Sequence, residues 1–248
     1  MDSASIAALL APFLERPLSQ FQLDQISIYI DLLLRWNARM NLTAIRNEKE
    51  IVTRHFGESF FLARHLFPAI SNSCHPERSQ DMRFAHFLAE LKDPYTLPPP
   101  PQRIFTAPCA RPHVLDIGSG AGFPALPLKL WAPQINLTLI ESNHKKAAFL
   151  REVARALTLT NINVLTGRAQ ALAPSLSSQA DAVTLRAVER LETILPQALT
   201  FLAPKGTLAL LITTPQIPQL STLTNLKWHA KWHAPKSHSR VLLLGYKV

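Results

Sequence analysis

The sequence predicts an α/β fold: a Rossmann-like, mostly parallel sheet with a C-terminal antiparallel hairpin, preceded by an N-terminal helical cap. Three features point there. From His113 onward, apolar runs suited to strands (113–118, 136–141, 162–166, 181–186 and 206–213) alternate with helical patterns near 122–131, 143–157 and 190–203. That alternation implies parallel strands covered on both faces, with right-handed crossovers. Two further runs, 225–234 and 239–247, flank Pro235-Lys236-Ser237-His238 and suit a terminal hairpin on the sheet edge. Up to about residue 67, apolar residues recur at helical spacing instead.

The chain thus divides into a helical cap (1–67), a proline-rich insertion or linker (68–112) and an α/β domain (113–248). In the cap, Ile6, Leu9, Leu10, Phe13 and Leu14 suit a short helix that Pro12 bends or interrupts. Ser19 or Asp24 caps a second helix, with Leu23, Ile26, Ile30, Leu33 and Leu34 at helical spacing. Asn41 and Thr43 are turn residues that follow it. A third helix carries Ile51, Val52, His55, Phe56, Phe60, Leu62 and Leu66, with Lys49, Arg54 and Glu58 on its polar face. The plainer reading of the cap is a packing element; the sharper one is that Asn41, Arg54 and His55 face a ligand. In the insertion, the run Pro98-Pro99-Pro100-Pro101 suits extended polyproline II. Phe84, Phe87, Leu88 and Leu91 suit one amphipathic helical segment there, and a PxxP-type ligand role is the alternative to a linker.

The most informative stretch is Val114-Leu115-Asp116-Ile117-Gly118-Ser119-Gly120-Ala121-Gly122-Phe123-Pro124. Three of the chain's seven glycines fall within five residues here, so the backbone turns tightly and lets a ligand approach. The helix that follows offers unpaired N–H groups. A dinucleotide fingerprint would need G-x-G-x-x-G, and Phe123 stands where its last glycine belongs. A D-x-G-x-G-x-G turn instead suits S-adenosylmethionine. Asp116 there either accepts from loop N–H groups or sits near the cofactor's cationic groups. An ordinary strand-to-helix turn is the third alternative. Glu141 ends the next strand, about twenty residues on, where an acid can accept from both ribose hydroxyls. It also lies just before a helix, where it can serve as a capping residue. After the third strand, Gly167-Arg168-Ala169-Gln170 can read an adenine edge, since Gln170 both donates and accepts. The C-terminal hairpin suits S-adenosylmethionine methyltransferases better than nicotinamide enzymes.

Composition narrows the classes. No run of about eighteen apolar residues predicts a membrane span, and Met1-Asp2-Ser3 lacks a basic signal region. Cys74 and Cys109 form no ligand pattern, so free thiols and a cytoplasmic location are expected. A net charge of +9 favours a polyanionic partner, nucleic acid above all.

Several motifs together carry a family resemblance: Trp36-Asn37, Asn41-Leu42-Thr43, Arg54-His55 with Glu58-Ser59, the glycine turn through Pro124, Lys145-Lys146 with Phe149-Leu150-Arg151, and Arg186-Ala187. Over about residues 20–67 and 113–212 the chain resembles the bacterial ribosomal RNA small-subunit methyltransferase G (RsmG/GidB) family. The resemblance implies S-adenosylmethionine-dependent methylation of N7 of a guanine in the 530 loop of 16S ribosomal RNA. It implies cofactor contacts at Gly118, Phe123, Ala169, Gln170 and Arg186, beside Asp116, Gly120 and Glu141 of the turn and second strand. The chain departs from the family pattern at Gln170, often glutamate, at Thr213-Thr214, commonly Lys-Gly, and in its long insertion.

Guanine N7 has an in-plane lone pair, so no general base or metal is required, and catalysis rests on alignment. Arg186 is expected to donate to the base or to the cofactor carboxylate, with Asn41 and His55 shaping the mouth of the site. Arg35, Arg39, Arg46, Arg54, Lys145, Lys146, Arg151 and Arg155 are candidate phosphate contacts. In Lys227-Trp228-His229-Ala230-Lys231-Trp232-His233, a regular strand puts both tryptophans on one face. His229 and His233 on a strand lie too far apart for a metal. The expected partner is 16S ribosomal RNA or the small subunit, bound by a monomer. Methylation at another RNA site, a nicotinamide-dependent oxidoreductase and a non-enzymatic RNA-binding protein are the alternatives.

Overall fold

The computed structural model describes residues 1–68, 111–188, 190–220 and 226–247. The expected helix and polyproline run within 69–110 lie outside them. Asp2 and Ser19 cap the first two helices, α1 (Ser3–Leu10) and α2 (Gln20–Asn37), the second through a reciprocal capping box with Gln22. A 3₁₀ turn, Ala11–Phe13, stands where Pro12 was expected to interrupt the first. The third element runs as α3 (Glu48–Glu50), a π-helical stretch Ile51–Gly57, and α4 (Glu58–Leu66). A π-helix inside an α-helix widens the turn and frees a carbonyl, and it recurs at functional sites. Gly57 is obligatory there, because a Cβ would lie 2.8 Å from the Phe13 ring.

Among the described residues the sheet has seven strands: β1 (His113–Ile117), β2 (Asn136–Glu141), β3 (Ile162–Thr166), β4 (Ala180–Arg186), β5 (Leu202–Thr213), β6 (Leu226–His233) and β7 (Arg240–Lys247). Their order is β3-β2-β1-β4-β5-β7-β6. The first five pair in parallel, and β7 inserts antiparallel between β5 and β6. The helices α5 (Ala125–Trp131), α6 (His144–Ala156), α7 (Ala169–Leu176) and α8 (Leu191–Phe201) cover the sheet. The sequence pattern missed α7, whose eight residues include Pro174 and are too few for a clear period.

Two apolar clusters lie on opposite sides of the sheet. One joins α5 and α6 to the N-terminal helices through Ile26, Tyr29, Phe56, Phe60, Leu126 and Phe149; the other joins Leu195, Phe201 and Leu210. The helical cap therefore shares a core with the sheet rather than resting on it. Buried side-chain bonds fasten the seam: Gln25 Nε2 donates to the Leu157 carbonyl at 2.9 Å and Trp131 Nε1 to that of Phe67 at 2.9 Å.

One expectation is overturned at the C-terminal hairpin. A register shift between Trp228 and Ala230 breaks the alternation of β6. A bulge adds one residue, so everything beyond it changes face. Trp228 packs with the α8 side and Trp232 with the α5 side, where its ring lies 4.1 Å from that of His65. The two tryptophans thus sit on opposite faces and serve packing.

Candidate active site

β1 feeds a loop whose three glycines all have positive φ: Gly118 at 72°, Gly120 at 54° and Gly122 at 88°. The N–H groups of Gly118 and Ser119 both donate to the Ile140 carbonyl, at 2.9 and 3.1 Å, which lashes the loop to β2. The glycines do two different jobs. A Cβ on Gly118 would meet nothing within 4 Å, and one on Gly120 only the Gly118 carbonyl at 3.7 Å. These two border open space, as a ligand cradle requires. Gly122 faces inward, where a Cβ would run into the Tyr29 hydroxyl and come within 2.7 Å of Leu126 Cδ1.

The helical cap grips this loop from behind. The Tyr29 hydroxyl donates to the Ala121 carbonyl at 2.5 Å. Burial, and then the nearby Asp116, push its pKa well above the ordinary value, so it remains a donor. Phe123 is sandwiched between Tyr29, 5.2 Å away and nearly parallel, and His55, 4.7 Å away and tilted by 16°. Phe56 meets Phe123 edge-on at 5.1 Å. No local signal marks Tyr29, which looks like one more core position on α2.

The carboxylates divide the work. Glu141, 6% exposed, accepts from Gly120 N–H and Asn143 N–H, each at 2.8 Å. Its two oxygens are therefore held by main chain in the open face of the loop, with further lone pairs left for a diol. Asp116 is 1% exposed and lies beneath the loop, not along the cradle. Oδ1 accepts from the Thr184 hydroxyl at 2.5 Å, and Oδ2 is buried without a hydrogen-bond partner among the described residues. Burial raises its pKa to about 6, against the opposing bond from Thr184.

Arg186, at the end of β4, reaches the π-helical stretch. Its Nη2 donates to the Arg54 carbonyl at 2.5 Å and to Glu58 Oε2 at 2.9 Å. Arg240 Nε lies 4.0 Å from the other oxygen of Glu58, which is 3% exposed. Two guanidinium groups thus share one buried carboxylate, leaving a net positive centre beside Phe123. Arg186 lies 6.0 Å from that ring. In sequence Glu58 is a polar-face residue of a helix, and nothing local reveals that it meets Arg186, 128 positions away.

His55 Nε2 pairs with the Thr43 hydroxyl at 2.8 Å, while Nδ1 is buried without a partner among the described residues. Burial, then Arg186, Arg54 and Arg240, push its pKa to about 3. The ring is neutral at pH 7, and the proton belongs on Nε2, where a partner exists. Asn41 is exposed on the adjoining turn. The residue that shapes that turn is its neighbour in the motif, Asn37. Its Oδ1 accepts from Leu42 and Thr43 N–H at 2.9 and 3.1 Å, and its Nδ2 donates to the Thr43 carbonyl at 2.9 Å.

Ala169, 6% exposed, opens α7, with Gln170 exposed beside it. Of the candidate phosphate contacts, Arg151 is engaged within the fold, donating to the Val164 carbonyl at 2.8 Å and Thr166 Oγ1 at 2.9 Å. Asn143 caps α6 through Lys145 and Lys146 N–H at 2.9 and 3.2 Å.

A β3-β2-β1-β4-β5-β7-β6 sheet with this glycine turn and terminal acid is that of the S-adenosylmethionine-dependent methyltransferases. The residues fit that cofactor: an open cradle at Gly118 and Gly120, and Glu141 held at its rim. The chain belongs to the family described as rRNA small subunit methyltransferase G, whose model matches residues 22–73 and 104–226. Proteins named ribosomal RNA small subunit methyltransferase G are similar over most of its length. That of Roseiflexus castenholzii is 37% identical over 76% of this chain and 67% of its own. That of Chloroflexus aggregans is 36% identical over 77% and 66%, and that of Xylella fastidiosa 31% over 84% and 79%. The chain thus spans about two thirds of the length of the first two relatives. A solved S-adenosylmethionine-dependent methyltransferase from Aquifex aeolicus is 16% identical, with a TM-score of 0.47 over 55% of this chain and 82% of its own. That is a partial likeness of fold and says nothing of substrate.

Proposed function

We propose that the protein methylates small-subunit ribosomal RNA, at N7 of a guanine in the 530 loop of 16S RNA, acting as a monomer in the cytoplasm. The observation that carries this reading is the Phe123 clamp, in which motifs specific to the family, Arg54-His55 and Glu58, converge with Arg186 on the cofactor turn. A general methyltransferase sheet needs no such cap.

S-adenosylmethionine supplies an electrophilic methyl group on a sulfonium. The chain's part is binding and alignment. Gly118 and Gly120 admit the cofactor, Glu141 accepts from its ribose, and Ala169 and Gln170 border its adenine. N7 has a free in-plane lone pair, so no side chain must remove a proton; orientation supplies the rate. Nη2 of Arg186 is committed to the cap, while its Nε and Nη1 make no hydrogen bond among the described residues and serve as donors to the base or to the cofactor carboxylate. His55, neutral and stacked on Phe123, with Asn41 at the turn, shapes the mouth. The net positive centre at Arg186, Glu58 and Arg240 favours an anionic substrate.

The test is methyl transfer from labelled S-adenosylmethionine to small-subunit RNA from a strain lacking this protein, with mapping of the modified base. Label at N7 of a 530-loop guanine is the expected result. Label elsewhere in the RNA overturns the site, and no label in RNA or in 30S particles overturns the activity.

A further inference from the structure

Beyond the cofactor turn, a cleft of about 620 Å³ opens between the end of α2 and the start of α6. Arg35, Trp36, Arg39, Met40, Lys145 and Glu152 line it. Three cations face one carboxylate, and that carboxylate already accepts from Trp36 Nε1 at 3.2 Å. The ion pairs among the described residues all lie elsewhere. Lys145 stands in the first turn of α6, where the helix dipole disfavours a cation. Uncompensated like charges gathered in a concave site favour an anion from outside. The wall between them is apolar and aromatic, Trp36 and Met40, which suits an unstacked base rather than a bare phosphate.

Both walls continue into the site described above. Trp36 precedes Asn37, which holds the Thr43 turn against His55. Lys145 follows Asn143, whose N–H is held by Glu141. The cleft thus borders the two elements whose bonded neighbours frame the glycine turn.

We propose that this cleft binds the single-stranded RNA segment that flanks the target base, with phosphates at Arg39 and Lys145 and a base against Trp36. This rests on the RNA reading of the site. Recognition of this kind targets splayed loops, not duplex, because a duplex hides its bases from an aromatic wall.

The experiment is fluorescence anisotropy of the full chain with a labelled, unstructured RNA of about a dozen nucleotides, over a range of salt. Removing two single-strand phosphate contacts lowers the salt slope by about 1.4. The double variant Arg39→Gln/Lys145→Gln is expected to show that fall, while S-adenosylmethionine affinity and thermal midpoint stay at wild-type values. Lys227→Gln/Lys231→Gln, two exposed lysines of the edge strand, is expected to leave the slope unchanged. Equal slopes in wild type and the cleft variant overturn the proposal. So does an equal fall in both double variants, which marks diffuse attraction, or binding of free AMP as tight as the RNA, which marks a mononucleotide site. Wild type that methylates ribosomal RNA while the cleft variant keeps its slope sinks the cleft alone. Wild type that binds the RNA through the cleft yet transfers no methyl group sinks the proposed activity alone.

Discussion

Replacing Tyr29 with phenylalanine removes one oxygen atom and isolates the grip of the cap on the cofactor turn. The ring stays, and with it the stack on Phe123 at 5.2 Å. What goes is the 2.5 Å bond to the Ala121 carbonyl, which lies in the middle of the glycine turn. A buried carbonyl left without a donor costs about 1–3 kcal/mol. For a chain of 248 residues, that lowers the thermal midpoint by roughly 2–4 °C per kcal/mol. The effect on binding follows from the same bond. A loop that must be re-ordered on binding loses about as much affinity as the bond contributed, so S-adenosylmethionine should bind about tenfold more weakly for each 1.4 kcal/mol. Titration calorimetry with the cofactor, beside a thermal scan, measures both. A lowered midpoint with unchanged cofactor affinity would make Tyr29 a core residue and nothing more, with no hold on the cofactor turn.

Gly122→Ala combines a positive φ of 88° with a Cβ within 2.7 Å of Leu126 Cδ1; overpacking alone costs about 1–3 kcal/mol, so a denaturant midpoint close to wild type would contradict the packing described. Arg186→Ala should abolish transfer and leave Glu58 with Arg240 alone, 4.0 Å away, whereas Glu58→Gln should keep the fold and lower kcat; single-turnover rates unaffected by both would remove Arg186 from the site. Glu141→Gln offers only one acceptor oxygen where Gly120 and Asn143 N–H need two, and should weaken cofactor binding about tenfold or more, read by calorimetry. His55, held near 3, contributes stability that is present above the unfolded value of 6.5 and is lost as pH falls toward 3, at about 1.4 kcal/mol per unit. Asp116, raised to about 6, works the other way: its contribution is present below 3.8 and is lost as pH rises through 6. The difference in thermal midpoint between wild type and His55→Asn should therefore shrink as pH falls from 6.5 to 5; a constant difference would mean that His55 is not held neutral.

How much was legible in the sequence depended on the range of the cause. Strand β1, the glycine turn, Glu141 and the Ser19 cap were readable because neighbours within a few residues decide them: alternation, positive φ and capping are local. The family motifs marked Arg54, His55 and Arg186, but not what they touch. The bulge at Trp228 and Ala230 was hidden, since a one-residue slip leaves no mark in composition yet turns Trp232 to the other face. Asn41 was singled out for its motif, while Asn37 holds the turn because it is buried and its amide reaches both sides of it.

The alternating sheet, the cofactor turn and the basic character of the chain are written in periods and spacings of a few residues, so the amino-acid order alone specifies them. That Tyr29 and His55 sandwich Phe123, that Glu58 joins Arg186 to Arg240, and that the cap and sheet are one core emerges from packing in three dimensions. Those contacts close over 68 positions, His55 to Phe123, up to 182, Glu58 to Arg240, where packing geometry, not local preference, selects the partner.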